Sequence, residues 1–112
     1  RRLASIFWRC TPLTRLYLGR NKIGDVGVGF LAEALPACTS IEHLDLGRND
    51  VGDFGAMKLA AVLVACPSLS FLDLGRNRIR DDGEEELSRM RRQRDQGLQI
   101  NFGGQRSLTN YT

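Results

Sequence analysis

Three arginines, Arg20, Arg48 and Arg76, recur at a fixed interval of 28 residues, and Asp45 and Asp73 each stand three residues before one of them. A guanidinium is a rigid planar fork of donors suited to carboxylate or phosphate, so a row of them is a candidate for anion recognition. The bias is strong along the whole chain: of sixteen basic residues fourteen are arginine, and only Lys22 and Lys58 are lysine. Codon usage is the plainer explanation of such a bias, and planar recognition of carboxylate or phosphate the sharper one. Cys10, Cys38 and Cys66 share the 28-residue interval. A closed zinc site needs four ligands, usually in close pairs, and the sequence has neither a Cys-x-x-Cys nor a suitable histidine, so these cysteines read as small buried hydrophobes. His43, the single histidine, has no nucleophile or carboxylate pair that can be placed beside it as a catalytic partner, and it reads as a contact residue. The glycines at 24, 27, 52, 55 and 83 form no phosphate-binding GxxxxGK[ST]. No catalytic residue, metal ligand or cofactor site is expected.

The interval belongs to a repeat, and a repeat overrules local propensity. Three units align without a gap: 13–40 opening LTRLYLGRN, 41–68 opening IEHLDLGRN and 69–96 opening LSFLDLGRN; residues 97–112 begin a fourth that fades after GLQINFGGQ. Each opens with alternating apolar residues, Leu16 and Leu18, Leu44 and Leu46, Leu72 and Leu74, Ile100 and Phe102, which predicts a short strand with one buried face. A turn rich in Asn, Gly and Asp follows. The spacing of Phe30, Leu31, Ala34 and Leu35, and of Met57, Leu59, Ala60 and Leu63, then predicts an amphipathic helix, with Asp25, Asp53 and Asp81 at the expected N-caps. A strand-turn-helix unit cannot bury its own apolar face, so the units must stack into a curved solenoid, with a parallel sheet inside and helices outside.

With L-x-x-L-x-L-x-x-N present three times in register, the units resemble leucine-rich repeats. Their 28-residue length and the IGDVG, LAEAL and Cys continuation resemble the ribonuclease-inhibitor-like subtype, found also in NOD-like receptors and in activating proteins of Ran-type GTPases. The resemblance covers about residues 1–105 and implies an α/β solenoid of three full repeats plus partial end repeats. It implies that Asn21, Asn49 and Asn77 turn inward and satisfy the backbone of adjacent turns, with Gln105 in the fourth place. It also permits a regulatory role, in a GTPase-activating protein or a NOD-like receptor.

Strand alternation places Arg15, His43, Phe71 and Gln99 in one concave row and Tyr17, Asp45, Asp73 and Asn101 in the next. Gly19, Gly47, Gly75 and Gly103 follow as a bare row, with Arg20, Arg48 and Arg76 at its rim. Strands lie about 4.8 Å apart, so the arginines repel one another unless Asp45 and Asp73 neutralise them. Either that lattice satisfies itself, or the guanidinium groups meet a partner's carboxylates, with Tyr17 and Phe71 as aromatic anchors. The function expected is a noncatalytic protein-protein interaction module, binding through Tyr17, Arg20, His43, Asp45, Arg48, Phe71, Asp73 and Arg76. The alternative is an accessory structural domain packed into a larger multiprotein assembly. The acidic row argues against nucleic acid.

Residues 1–12 align with the end of a preceding unit, Leu3 with Leu31, Phe7 with Leu35 and Cys10 with Cys38, and the chain begins at an arginine. Further repeats or another chain are therefore expected at the N-terminal edge, the chain reading as the C-terminal part of a longer protein. The last helix, DDGEEELSRMRRQRDQ, keeps only Leu87 and Met90 as apolar anchors, with Arg91 and Arg94 where leucine and cysteine stood, as a polar terminal cap would. RSLTNYT reads as a tail. No run approaches the roughly 18 apolar residues of a membrane span, and an odd set of free cysteines fits a reducing, intracellular, cytoplasmic setting; an organelle stays open because a targeting segment would precede Arg1.

Overall fold

One apolar residue per unit, Leu16, Leu44, Leu72 and Ile100, points from the centre of a three-residue strand towards the helices. The computed structural model describes residues 13–94 and 97–106. Its strands are β1 (Arg15–Tyr17), β2 (His43–Asp45), β3 (Phe71–Asp73) and β4 (Gln99–Asn101), pairing in parallel in the order β1-β2-β3-β4. The register advances by one repeat: Leu16 lies opposite Leu44, Leu44 opposite Leu72 and Leu72 opposite Ile100. Between the strands run α1 (Gly24–Ala34), α2 (Asp53–Val62) and α3 (Asp81–Arg94), and the first two end in 3₁₀ turns at Leu35–Ala37 and Leu63–Ala65. This is the expected α/β solenoid.

The core lies between sheet and helices. Leu44, Leu46, Leu72 and Leu74 are buried against Val28, Leu31, Leu35, Ala56, Leu59, Leu63 and Leu87, whereas Leu16, Leu18, Ile100 and Phe102 in the outer units are only partly buried. Each outer strand has one described neighbour where an inner strand has two. Two helix residues expected in the core are not there: Phe30 and Met57 are exposed. Each follows or precedes a buried residue by one step, and one step turns a helical side chain by about 100°, out of the buried stripe.

Asp25 and Asp53 do not cap their own helices. Asp25 and Asp53 sit inside the first turns of α1 and α2, and neither helix has a side-chain hydrogen bond from its own N-cap. Asp25 Oδ1 instead accepts the N–H groups of Gly52 at 2.7 Å and Gly55 at 3.0 Å, and Asp53 Oδ1 accepts that of Arg80 at 2.7 Å. Each aspartate thus satisfies orphan donors at the start of the next unit's helix. The carboxylate presses so closely that a Cβ on Gly55 would lie 2.6 Å from Asp25 Oδ1, and one on Gly83 2.6 Å from Asp53 Oδ1. A fixed Asp-x-Gly therefore locks neighbouring repeats together.

The asparagine ladder forms as the resemblance implied, with one exception. Asn77 Oδ1 accepts the N–H groups of Asn49 and Val51, both at 2.9 Å, while its Nδ2 donates to Leu46 O at 3.0 Å and Leu74 O at 2.9 Å. Asn49 does the same one unit earlier, accepting from Asn21 and Ile23 and donating to Leu18 O. Gln105 continues the series, its Oε1 accepting the Ile79 N–H at 2.8 Å and its Nε2 donating to Leu74 O at 2.7 Å. Asn49 and Asn77 are buried, but Asn21 is exposed, because no described unit stacks on its outer side.

The third helix departs from the expected polar cap at one residue. Leu87 is buried and Met90 partly so, and Arg91 is exposed, but Arg94 is only 8% exposed. Its Nη2 donates to Pro67 O at 2.9 Å and to Leu69 O, closing the space that cysteine fills in the other units, while Nε and Nη1 have no hydrogen-bond partner. The cysteines also differ from expectation. Cys66 is free and buried, but Cys38 is disulfide-bonded, so the set is not three thiols and no longer argues for a reducing compartment. Cys10, with Leu3 and Phe7, and the tail beyond Arg106 lie outside the described residues. Among the described residues no helix is long and apolar enough to cross a membrane.

Candidate functional site

The strand register builds the concave rows foreseen from alternation. Arg15, His43, Phe71 and Gln99 align across the four strands, and so do Tyr17, Asp45, Asp73 and Asn101. The rings of Tyr17, His43 and Phe71 form a continuous aromatic shelf, with centroids 5.2 Å apart from Tyr17 to His43 and 4.7 Å from His43 to Phe71. Tyr17 is well exposed at 57%, and His43 and Phe71 are half-buried. Aromatic edges and faces at these separations attract one another, so the three rings hold one another in place.

Beyond the shelf the chain turns, and the turn is locked by its own acids. Asp45 Oδ1 accepts the Gly47 N–H at 2.8 Å and Asp73 Oδ1 accepts the Gly75 N–H at 2.9 Å; Asn101 does the same for Gly103 and also donates to Asp73 Oδ1 at 3.0 Å. Asp45 and Asp73 therefore spend part of their charge on backbone donors. The neutralising Arg/Asp lattice does not form: among the described residues the ion pairs are Arg89 with Glu86 and Arg106 with Asp50, and none uses Arg20, Arg48 or Arg76. All three are exposed.

Arg20, Arg48 and Arg76 have φ of 63°, 57° and 56°, the left-handed region, which costs a non-glycine residue about 1–2 kcal/mol. Their N–H groups are fixed to the next unit, to Gly47 O at 2.9 Å, Gly75 O at 3.0 Å and Gly103 O at 2.7 Å. From these turns the three side chains come within ion-pair distance of no acid among the described residues. Together Arg20, Arg48, Arg76, Asp45, Asp73 and the glycine floor enclose an open trough of 510 Å³. Within it the Arg48 guanidinium is pushed below its ordinary range, first by loss of hydration, even though the side chain is exposed, and then by the like charges of Arg20 and Arg76.

All eight concave residues singled out from the sequence thus lie on one surface, the aromatic shelf and arginine rim flanking the acidic row. A second open groove, lined by Phe71, Arg91, Gln99, Ile100, Asn101 and Phe102, continues the shelf towards the last unit. The sequence marks Arg91 only as a cap residue; its place beside Phe71 depends on the packing of α3, which no spacing in the strands encodes. Among the described residues no cluster of His, Cys, Asp and Glu could hold a metal ion.

A family model described as leucine-rich repeat matches residues 9–32, 37–60 and 65–88, well over half of the chain. Among solved structures, the tropomodulin C-terminal domain of Caenorhabditis elegans is similar, with a TM-score of 0.77 at 19% identity over 91% of this chain and 62% of that one. Leiomodin-1 actin-binding site 2 is similar with a TM-score of 0.83 at 20% identity, over 93% of this chain and 61% of that one. The chain thus spans less than two thirds of either domain, and at such identity the likeness is one of fold. No curated protein matches the sequence significantly.

Proposed function

The chain belongs to the leucine-rich-repeat family, and we propose that it is a noncatalytic module that holds another protein against its concave strands and strand-end loops. The observation that carries this reading is the row of three arginines without ion-pair partners beside an aromatic shelf. Arginine and aromatic side chains are the ones enriched at binding hot spots, and strain retained at three successive turns is a mark of function rather than of stability. The 28-residue unit with a full helix supports the ribonuclease-inhibitor-like subtype. Partners of relatives do not transfer with the fold; actin, named for the leiomodin-1 domain, is a first candidate to assay.

The test is a pull-down from the native source with the wild-type protein beside the Arg20/Arg48/Arg76→Glu triple variant, after thermal melts show both folded. Loss of a specific protein in the variant supports the concave rim. Capture of the same proteins by both overturns it. A second reading, a structural domain packed into an assembly, draws on the edge position of β1 and the exposed Asn21; it expects binding to survive the triple variant and to be lost on substitutions along β1.

A further inference from the structure

Resting on the reading of the concave face as a protein-binding site, we propose that the arginine trough takes an acidic α-helix whose carboxylates recur once per turn. The row is a ruler. Each arginine belongs to one strand-end turn, its N–H tied to the carbonyl of the next unit's glycine at 2.7–3.0 Å, so the three turns repeat at the spacing of the sheet, about 4.8 Å. A helix rises about 5.4 Å per turn, so acids at i, i+4 and i+7 keep within about 1.2 Å of register across the row. An extended strand returns side chains to one face about every 6.7 Å and falls nearly 4 Å out of register over the same row.

The walls of the trough select in the same direction. One wall is Arg20, Arg48 and Arg76; the other holds Asp45 and Asp73, whose outer oxygens are not taken up by the turn bonds made through Oδ1. A uniformly anionic chain, such as nucleic acid or polyphosphate, meets repulsion along the second wall. A helix presents different stripes to the two walls, acidic towards the arginines and basic or small towards the aspartates. Its apolar stripe then reaches the Tyr17, His43 and Phe71 shelf, the arrangement by which amphipathic helices dock in grooves.

The floor admits such a body because it carries no side chains. A Cβ on Gly47 would lie 3.2 Å from Asp45 Oδ1, and one on Gly75 3.1 Å from Asp73 Oδ1 and 3.2 Å from Gly103 O. Glycine there keeps the turn bonds intact and lets a partner approach the backbone.

The experiment uses the 112-residue chain and three labelled synthetic peptides of equal net charge and about 15 residues, long enough to hold a helix when side-chain bridged. One carries glutamates at i, i+4 and i+7 of a bridged helix; one is the same helix with the glutamates scattered around it; one is extended by prolines, with glutamates at alternate positions. Fluorescence anisotropy at low salt should show the first peptide binding about tenfold tighter than either other. That preference should vanish in the folded Arg20/Arg48/Arg76→Gln variant and fade as salt is raised. Equal binding of all three peptides overturns the helix inference, as does a preference for the extended peptide or stronger binding of inorganic polyphosphate. Loss of a protein partner in the pull-down with the glutamate variant would, beside such a result, leave the concave site standing and remove only the helix.

Discussion

Replacing Asn77 by alanine tests whether the asparagines of the repeated Leu-Gly-Arg-Asn are scaffold. Asn77 is 0% exposed, and its carboxamide oxygen is the acceptor for the N–H groups of Asn49 and Val51, both at 2.9 Å. Alanine leaves those donors buried without an acceptor and removes the donor to Leu46 O and Leu74 O. An orphaned buried donor costs about 1–3 kcal/mol, so the two together cost about 3–5 kcal/mol once some relaxation is allowed. Against a total of about 5–15 kcal/mol for a domain, that is a large share. Urea unfolding followed by circular dichroism should show the midpoint falling by about 2 M at unchanged slope. Asn21→Ala is the control: its amide is exposed and donates within its own turn to Leu18 O and Gly19 O, contacts that water replaces, so the cost stays below about 1 kcal/mol. Arg76→Gly, one residue from Asn77, should leave stability unchanged or raise it, because glycine adopts a φ of 56° without strain. If Asn77→Ala and Asn21→Ala unfold within about 1 kcal/mol of each other, the hydrogen-bond ladder is not what holds the repeats in register.

Two further perturbations probe the joints between units. Asp25→Ala should destabilise by about 1–2 kcal/mol, the usual cost of a lost cap, and speed hydrogen exchange at Gly52 and Gly55 in the next repeat; faster exchange confined to α1 itself would show that the aspartate caps its own helix after all. Burial pushes the Cys66 thiol above its ordinary value of 9.0, with the nearby Arg94 charge pulling weakly the other way. A thiol whose pKa is raised by folding holds its proton more tightly in the native state, so its contribution is complete below pH 9.0 and is lost as the pH rises beyond it. Stability of the wild type should therefore decline more steeply above that pH than stability of Cys66→Ala, and parallel declines would refute the linkage.

The 28-residue period made the fold legible, because identical offsets can be satisfied together only by stacking, and stacking dictates strand register without any contact being known. Hence the row from Arg15 to Gln99, the row from Tyr17 to Asn101 and the glycine row followed from alternation, whereas the Tyr17–His43–Phe71 shelf, which crosses two of those rows, needed the ring positions. What escaped the sequence are the contacts that cross from one unit to the next. Asp25 has the type and local position of an N-cap, and only the stacked neighbour shows that its carboxylate is nearer to Gly52 than to its own turn. Arg94 has the charge of a solvated cap residue, yet two backbone carbonyls, of Pro67 and Leu69, draw it into the slot of a cysteine. Cys38 is one of an odd set, and parity gives no hint of which member is bonded.

The arginine row shows the same limit from the functional side. Opposite charges three residues apart invite the inference of an ion pair, but Asp45 and Asp73 find nearer partners in the N–H groups of Gly47 and Gly75, two residues on. A backbone donor is fixed in place and loses no side-chain freedom on bonding, whereas an exposed arginine must give up rotamer entropy to do so. The acids therefore close their turns through the backbone and leave Arg48 and Arg76 without an ion pair, while Arg20, whose unit has Tyr17 in place of the acid, takes the same left-handed φ of 63°. Glycine or asparagine would hold the same turn with less strain. Arginine at all three positions sets some backbone strain against a row of exposed donors without ion pairs, and on the proposed reading a partner with a matching repeat of negative charge is what engages that row.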